Sequence, residues 1–585
     1  MLHRSLFVLL LFTGAALAAD APGRDAPGLA DARLRALYES EWRWREEQLP
    51  DDEDSTRPVR DRLPRVDEAA QQSRRVRWEQ VLRELRAIAR KDLSPAQQLN
   101  YDVYRPQIEA LVEGQRFRDY QMPVNADTTF WTDVGYTARR NFRKQADYEN
   151  WISQLRDIPR YFREQLVLMR AGLERGFTPP QVTLRGRESS LTAVTEASPA
   201  NCLLYEPFRD MPGIAPADRD RLRAEAIAAI RDQAQPAYRE VLAFMRDIYV
   251  PRARQSLGAS ELPDGMAFYR AKIREFTTLD EDPATIHAFG EAEVAKIHEQ
   301  MLAAMRESGF QGDFQDFLAH LRSDPAQAPV SASDLLMRAA WIAKQFDGKA
   351  ALYFGYMPRA RFAIKPVPDD LAPFYTAGRG GASVYLLNTY DLPSRPLYNL
   401  TALTLHESAP GHAWQMSIAL EHKEQPQFRQ KTYISAFGEG WALYCEKLGV
   451  EMGLYSGPLD RFGMLGYQIW RAARLVVDTG IHAQGWTREQ AIDYLHRYTA
   501  LSAHEIETEV DRYISWPAQA LSYYLGETAI LRAREHAERS LGSRFNIRAF
   551  HDTVLELGSV PLPVLESRID RFIAEGGRGP YPDLE

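Results

Sequence analysis

Cysteine is nearly absent from this 585-residue chain, which has only Cys202 and Cys445. Two thiols exclude a disulfide scaffold and a four-thiolate zinc site. Glycine and proline, 35 of each, are too few for a collagen-like or low-complexity protein. Positive charge is not in excess, since 72 Lys and Arg face 80 Asp and Glu, a net charge of −8. That balance gives no electrostatic footprint for nucleic acid. After the first 20 residues no apolar run approaches the roughly 20 residues a membrane-spanning helix needs, and the mean hydropathy is −0.41. What is present is an ordinary globular composition, 45% apolar and 26% charged, on a chain long enough to bury a large core. The remaining classes are a large acidic enzyme or a binding protein.

The N-terminus carries an address. His3 and Arg4 precede an apolar run from Leu6 to Ala19 that ends in Ala16-Leu17-Ala18. Basic start, apolar middle and small-residue end, in that order, predict a secretory signal peptide over residues 1–18, cut after Ala18. No cysteine follows the cut, so no lipid-attachment site is expected. The expected location is the bacterial periplasm or the medium. That compartment permits a Cys202–Cys445 disulfide, and two free buried cysteines are the equal alternative.

The mature chain reads mainly as helix. Segments 73–90, 148–172 and 217–249 space apolar residues three and four apart, with Arg and Glu between them. Strand patterns are scarce, and the best is 382–387, which follows Gly378–Gly381 and ends at Asn388-Thr389. No fixed-period repeat and no long linker interrupts the pattern. The expected fold is mainly α, one large helical domain over residues 19–585 with a small β element.

The chemistry concentrates between residues 400 and 450, within a functional segment of about 380–530. Leu400-Thr-Ala-Leu-Thr-Leu-His406-Glu407-Ser408-Ala409-Pro410-Gly411-His412 places a His-Glu pair on a helix with a second His beyond it. Two imidazoles on one side of a helix, with a glutamate beside the first, form the zinc-peptidase arrangement. The usual spacing of the two histidines is four residues, and here it is six. On a straight helix six residues turn about 600°, so the rings would point about 120° apart. Pro410-Gly411 offers a remedy, because proline breaks a helix from within and glycine permits unusual dihedrals. A two-residue bulge there returns His412 to the ligand position.

Catalytic zinc usually takes three protein ligands and keeps one open position. Phe437-Gly-Glu439-Gly-Trp-Ala-Leu-Tyr-Cys-Glu446 supplies two glutamates seven apart, on one helix face of an apolar stretch. Buried carboxylates without a cation are costly. Glu439 is therefore expected as the third ligand, and Glu446 behind it as the acceptor for a ligand imidazole. The alternative is two carboxylates on a solvated helix edge.

His-Glu-x-x-Pro-Gly-His with the downstream Glu-Gly-Trp-Ala-Leu-Tyr-x-Glu resembles the bacterial family called domain of unknown function 885. Leu262-Pro-Asp-Gly265 followed by Tyr269, the Thr277-Thr278 turn, and Arg512-Tyr-Ile-Ser-Trp-Pro-Ala-Gln-Ala-Leu-Ser-Tyr523 agree with it. That family in turn resembles the helical gluzincin metallopeptidases such as thimet oligopeptidase. The resemblance implies a helical body with a substrate channel and one zinc ion per chain held by His406, His412 and Glu439. It also implies a tyrosine hydroxyl from a late helix, for which Tyr523 and Tyr524 are the candidates and Tyr523 the favoured one.

In the implied mechanism zinc acidifies a water and polarises the scissile carbonyl. Glu407 takes the water's proton and passes it to the leaving amine, and the tyrosine donates to the oxyanion. The 382–388 strand is expected to pair with an extended peptide, Asn388 to hold a peptide amide, and Arg512 to bind a terminal carboxylate. Arg512 has the alternative of an ion pair with the neighbouring Glu509 or Asp511. His504-Glu505 is a second His-Glu pair, but Thr508 stands where its partner histidine would be. His422, His482, His496, His536 and His551 read as surface or satisfied core histidines.

The expected function is an exported zinc peptidase for short or unfolded peptides, with no nucleic-acid partner and no membrane span. Two readings compete with it: a zinc hydrolase of a non-peptide amide, and a non-catalytic secreted binding protein.

Overall fold

The computed structural model describes residues 28–49, 57–126, 128–369 and 372–582. The predicted signal peptide lies outside the described residues.

The protein is mainly α with one small sheet. The long amphipathic segments form helices close to their predicted bounds: Glu68–Arg86, Gln145–Glu174, and a rod from Pro216 to Arg252. The rod buries Leu222, Ala226, Ala229, Ile230, Ala234, Ala237, Tyr238 and Val241, a spacing of one, three and four that puts every buried residue on one stripe. Two wider turns, Ile230–Ala234 and Met245–Tyr249, interrupt it. Each is followed two residues later by a proline, which has no N–H to close an ordinary turn.

Three large apolar clusters organise the helices. One lies wholly within residues 59–253 and centres on Trp131, Trp151, Phe162 and Tyr238. A second joins the early helices, through Trp78 and Tyr104, to Leu405, Trp414, Trp441 and the C-terminal Phe550 and Phe572. The third joins residues 268–321 to 462–525. Cys202 is buried in the first cluster and Cys445 in the second, and both are free thiols.

The sheet has the order β1-β3-β2, with β1 Ala363–Pro366, β2 Gly378–Gly381 and β3 Val384–Leu387. β3 runs parallel to β1 and antiparallel to β2, with Gly380 opposite Tyr385. The strand read from the sequence is thus the central strand. Both of its edges are taken, so the expected strand addition at 382–388 has no place to occur. The outer edge is β2, whose three glycines carry no alternating side chains to mark it as a strand. No helix among the described residues is long and apolar enough to cross a membrane.

Candidate metal centre

The helix Leu400–Glu407 is buried on nearly every side, from Leu400 through His406. Its all-round apolar sequence suits that position. It ends at Glu407, and a new helix begins at His412 and runs to Glu421. Between them the backbone makes bonds that span six residues instead of four: Gly411 N–H to the Leu405 carbonyl (3.0 Å) and Trp414 N–H to the Ser408 carbonyl (3.2 Å). The two extra residues are absorbed here. A Cβ on residue 411 would stand 1.8 Å from the His406 carbonyl oxygen, so only glycine fits. The Trp441 indole N–H holds the Pro410 carbonyl at 2.8 Å.

The consequence is convergence. The His406 and His412 rings lie 4.9 Å apart, nearly perpendicular. Glu439, on the helix Ser435–Glu451, brings Oε2 to 3.3 Å from His412 Nε2 and 3.6 Å from His406 Nε2. One ligand atom from each of the three residues falls within a 4.8 Å group. Zinc bonds of about 2.0–2.1 Å in a tetrahedron put neighbouring ligand atoms about 3.3 Å apart. The two histidine–glutamate separations are close to that edge, so the donor set suits such an ion in type and in these two spacings.

Behind the cluster, Glu446 Oε1 is 2.7 Å from His406 Nδ1, and Glu446 is fully buried. This contact turns His406 Nε2 toward Glu439. Burial opposes the charge on His406, but the Glu439 and Glu446 hydrogen bonds, with the Glu407 charge, raise its pKa to about 10. Burial likewise opposes ionisation of Glu439, yet His412 and His406 hold its carboxyl well below the ordinary range. A cluster this rich in buried carboxylate calls for a cation, whether protons on the imidazoles or a metal.

Glu407 sits at the helix end, facing the open side. Its Oε2 accepts the Gly380 N–H at 2.6 Å. β2 lies so close that a Cβ on residue 380 would be 2.0 Å from the Glu407 carbonyl oxygen. Glu407 and Glu439 line a cavity of about 3120 Å³ between the N-terminal helices and the C-terminal half, and Glu439 connects the two buried histidines to it.

Tyr523 also lines the cavity. It is carried there by the helix Ser522–Leu541, which crosses the Glu439 helix at Gly440 and Gly526. A Cβ at either glycine would meet backbone at 2.3 Å or less, so the pair sets the close crossing. Tyr524 points elsewhere, its hydroxyl donating to Glu293 at 2.6 Å. Tyr433 joins the site without a motif to announce it. Its hydroxyl donates to Glu439 Oε1 at 3.0 Å, and both Glu407 and Tyr523 are near enough to act on that hydroxyl electrostatically. Gly438 leaves room for its ring, which an added Cβ would meet at 2.4 Å. Its only sequence signal is faint: a tyrosine two residues before a helix start.

Two substrate-contact expectations change. Asn388 is fully buried, and its amide nitrogen donates to the carbonyls of Ala372, Tyr375 and Thr376, while its oxygen accepts the Tyr390 N–H. With every donor spent on shaping the 372–377 loop, it has none for a peptide amide. Arg512 does line the cavity, but it donates to Gln519 at 3.0 Å and stands 3.5 Å from Glu509.

Fold and site together define a large, mainly helical protein with a two-histidine, one-glutamate cluster at the wall of a central cavity. Within that class, the chain belongs to the family described as bacterial protein of unknown function DUF885, whose model matches residues 50–569. It is similar to the crystal structure of a candidate lipoprotein from Colwellia psychrerythraea, with a TM-score of 0.85 and 25% identity, covering 94% of this chain and 99% of that one. It also shares its fold with a candidate lipoprotein of unknown function from Shewanella oneidensis, with a TM-score of 0.72 and 16% identity, covering 92% and 99%. No curated protein sequence matches it.

Proposed function

We propose that the protein is an exported zinc-dependent peptidase acting on short or unfolded peptides. The observation that carries the reading is the convergence of His406, His412 and Glu439, with one ligand atom of each within 4.8 Å of the others, and with Glu407 at the cavity wall. A zinc ion on these three side chains would acidify a water and polarise a carbonyl.

The chain's own groups supply the rest. The Gly380 N–H fixes one oxygen of Glu407, leaving the other free to take a proton from the attacking water and return it to the leaving amine. Tyr523 presents its hydroxyl to the cavity as a donor to the developing oxyanion, while the Tyr433 hydroxyl is given to Glu439 and steadies that carboxylate. An extended chain would pair along the outer edge of β2, whose Arg379 lines the cavity. A volume of about 3120 Å³ exceeds the roughly 300–1,000 Å³ of pockets that take drug-sized molecules, which favours a peptide over a small amide. Export is supported by the predicted signal peptide and by the two similar structures, both candidate lipoproteins.

The test is Glu407→Gln. The variant should keep about one zinc per chain and lose turnover of a peptide library by roughly 10²–10⁴-fold. Full activity in the variant would refute this mechanism.

A further inference from the structure

Arg471 in the cavity wall has no polar partner among the described residues. Arg471, on the helix Pro458–Gln484, lines the cavity and is only 6% exposed. Its guanidinium stacks on Trp470, 4.1 Å from the ring centroid, and on Tyr467 at 4.6 Å. Those contacts use the faces of the group and leave its N–H edge. Nε and Nη1 are buried without a hydrogen-bond acceptor, and among the described residues no carboxylate pairs with Arg471.

A buried guanidinium with vacant donors is costly, and stacking offsets only part of that cost. The contrast lies one turn away. Arg474 also stacks on Trp470 (4.5 Å) but donates to Glu509 and to the Tyr513 hydroxyl, both at 2.9 Å. Arg474 is held by the fold, whereas Arg471 is not.

The surroundings strengthen the point. Arg395 also lines the cavity, its Nε is buried without an acceptor, and both arginines act on the Tyr467 hydroxyl. Glu505 lies near that hydroxyl too, but its Oε2 accepts from the Ser502 N–H and hydroxyl. Tyr467 belongs to one apolar cluster with Leu403 of the motif helix and with Tyr385, and Tyr385 lies within electrostatic range of both Glu407 and Tyr467. The two arginines thus share the cavity with Glu407, and Tyr467 beside them packs in one cluster with Leu403 of the motif helix.

We infer that Arg471, assisted by Arg395, is a receptor for a substrate carboxylate, presented to the cavity beside the metal cluster. Nη2 forms a parallel pair with either Nη1 or Nε, and none of the three has an acceptor among the described residues, so the guanidinium can bind a carboxylate by two bonds at once. The C-terminus of a peptide and an acidic side chain share this chemistry. If the C-terminus is the source, the reaction is of the carboxypeptidase class. The inference rests on the peptidase reading for the nature of the substrate, but not for the existence of the subsite.

The experiment measures binding by calorimetry to the mature, zinc-supplied Glu407→Gln protein, with and without Arg471→Gln. The probes are N-acetyl-Ala-Ala-Phe, its C-terminal amide, and N-acetyl-Ala-Glu-Phe amide. One carboxylate-bearing probe should bind at least about tenfold tighter than the uncharged amide, and Arg471→Gln should level the two. Which probe wins identifies the source of the carboxylate. Arg471→Lys keeps the charge and should retain part of the preference, and Arg395→Gln should lower it less than Arg471→Gln. Since Arg471→Gln removes an unpaired buried charge, its melting temperature should not fall.

Equal binding of all three probes, or a preference that survives Arg471→Gln, overturns the subsite. If the preference holds but the parent protein hydrolyses no peptide, the subsite stands and the peptidase reading falls. Hydrolysis without the preference has the opposite meaning.

Discussion

Two pairs of buried histidines in this protein meet opposite fates. His482 and His551 are fully enclosed by neutral partners. His482 accepts the Ala259 N–H and lies 2.9 Å from the Tyr513 carbonyl. His551 lies between the Tyr444 hydroxyl and the Tyr353 carbonyl. Burial pushes both down to a pKa of about 3, so they are neutral core residues. His406 and His412 are buried too, but they stand among Glu439, Glu446 and Glu407, and His406 is raised to about 10. The contrast shows that burial does not make a cation site. The surplus of carboxylate around the imidazoles is what favours positive charge at this cluster.

The sharpest way to break this comparison is metal content. His406→Ala and Glu439→Ala should drop zinc from about one per chain to near zero, by mass spectrometry after excess metal is removed. His551→Ala should keep its zinc while lowering the melting temperature. Zinc retained without His406 or Glu439 would place the ion elsewhere.

A smaller effect is expected behind the ligands. Glu446→Gln leaves the three donors intact but weakens the acceptor that orients His406 and raises its basicity. Zinc affinity, measured by competition with a chelator, should fall about 10–100-fold. An unchanged affinity would reduce Glu446 to a packing residue.

The smallest effect is the pH dependence of stability. The ordinary histidine pKa is about 6.5, and His551 sits near 3 in the folded chain. Between those values the unfolded chain binds a proton that the folded chain refuses. The stability this residue contributes is therefore fully present above about pH 6.5 and is lost as the pH falls toward about 3, by up to ~1.4 kcal/mol per unit. His551→Gln should flatten the slope between pH 6 and 4 by one proton's worth in urea titrations. A slope equal to the parent's would mean that His551 is not held neutral.

Much of the fold and of the candidate metal cluster is legible in the amino-acid sequence. Helical periodicity locates the long elements, because an amphipathic stripe is written directly in residue spacing. The 382–387 strand is visible there too, but its rank in the sheet is not, since β2 is made largely of glycine. Asn388 resembles a substrate contact by its place at a strand end. Only the fold shows that the 372–377 loop consumes its amide. Tyr433 and Arg471 carry no local mark. The role of the first depends on a contact across elements, and that of the second on what is not bonded to it.

The sequence by itself determined the mainly helical body, the family, and the residue types of the cluster: two histidines, a neighbouring glutamate, and two more glutamates one helix repeat apart. Those follow from local spacing and side-chain chemistry. The tertiary structure decided how a six-residue spacing brings His412 to His406, through backbone bonds that skip two residues and a glycine with no room for a Cβ. It also decided which tyrosine faces the cavity, through the Gly440–Gly526 helix crossing. It decided, finally, which arginine is left without a partner, because hydrogen-bond satisfaction is a property of neighbours that lie far apart in the chain.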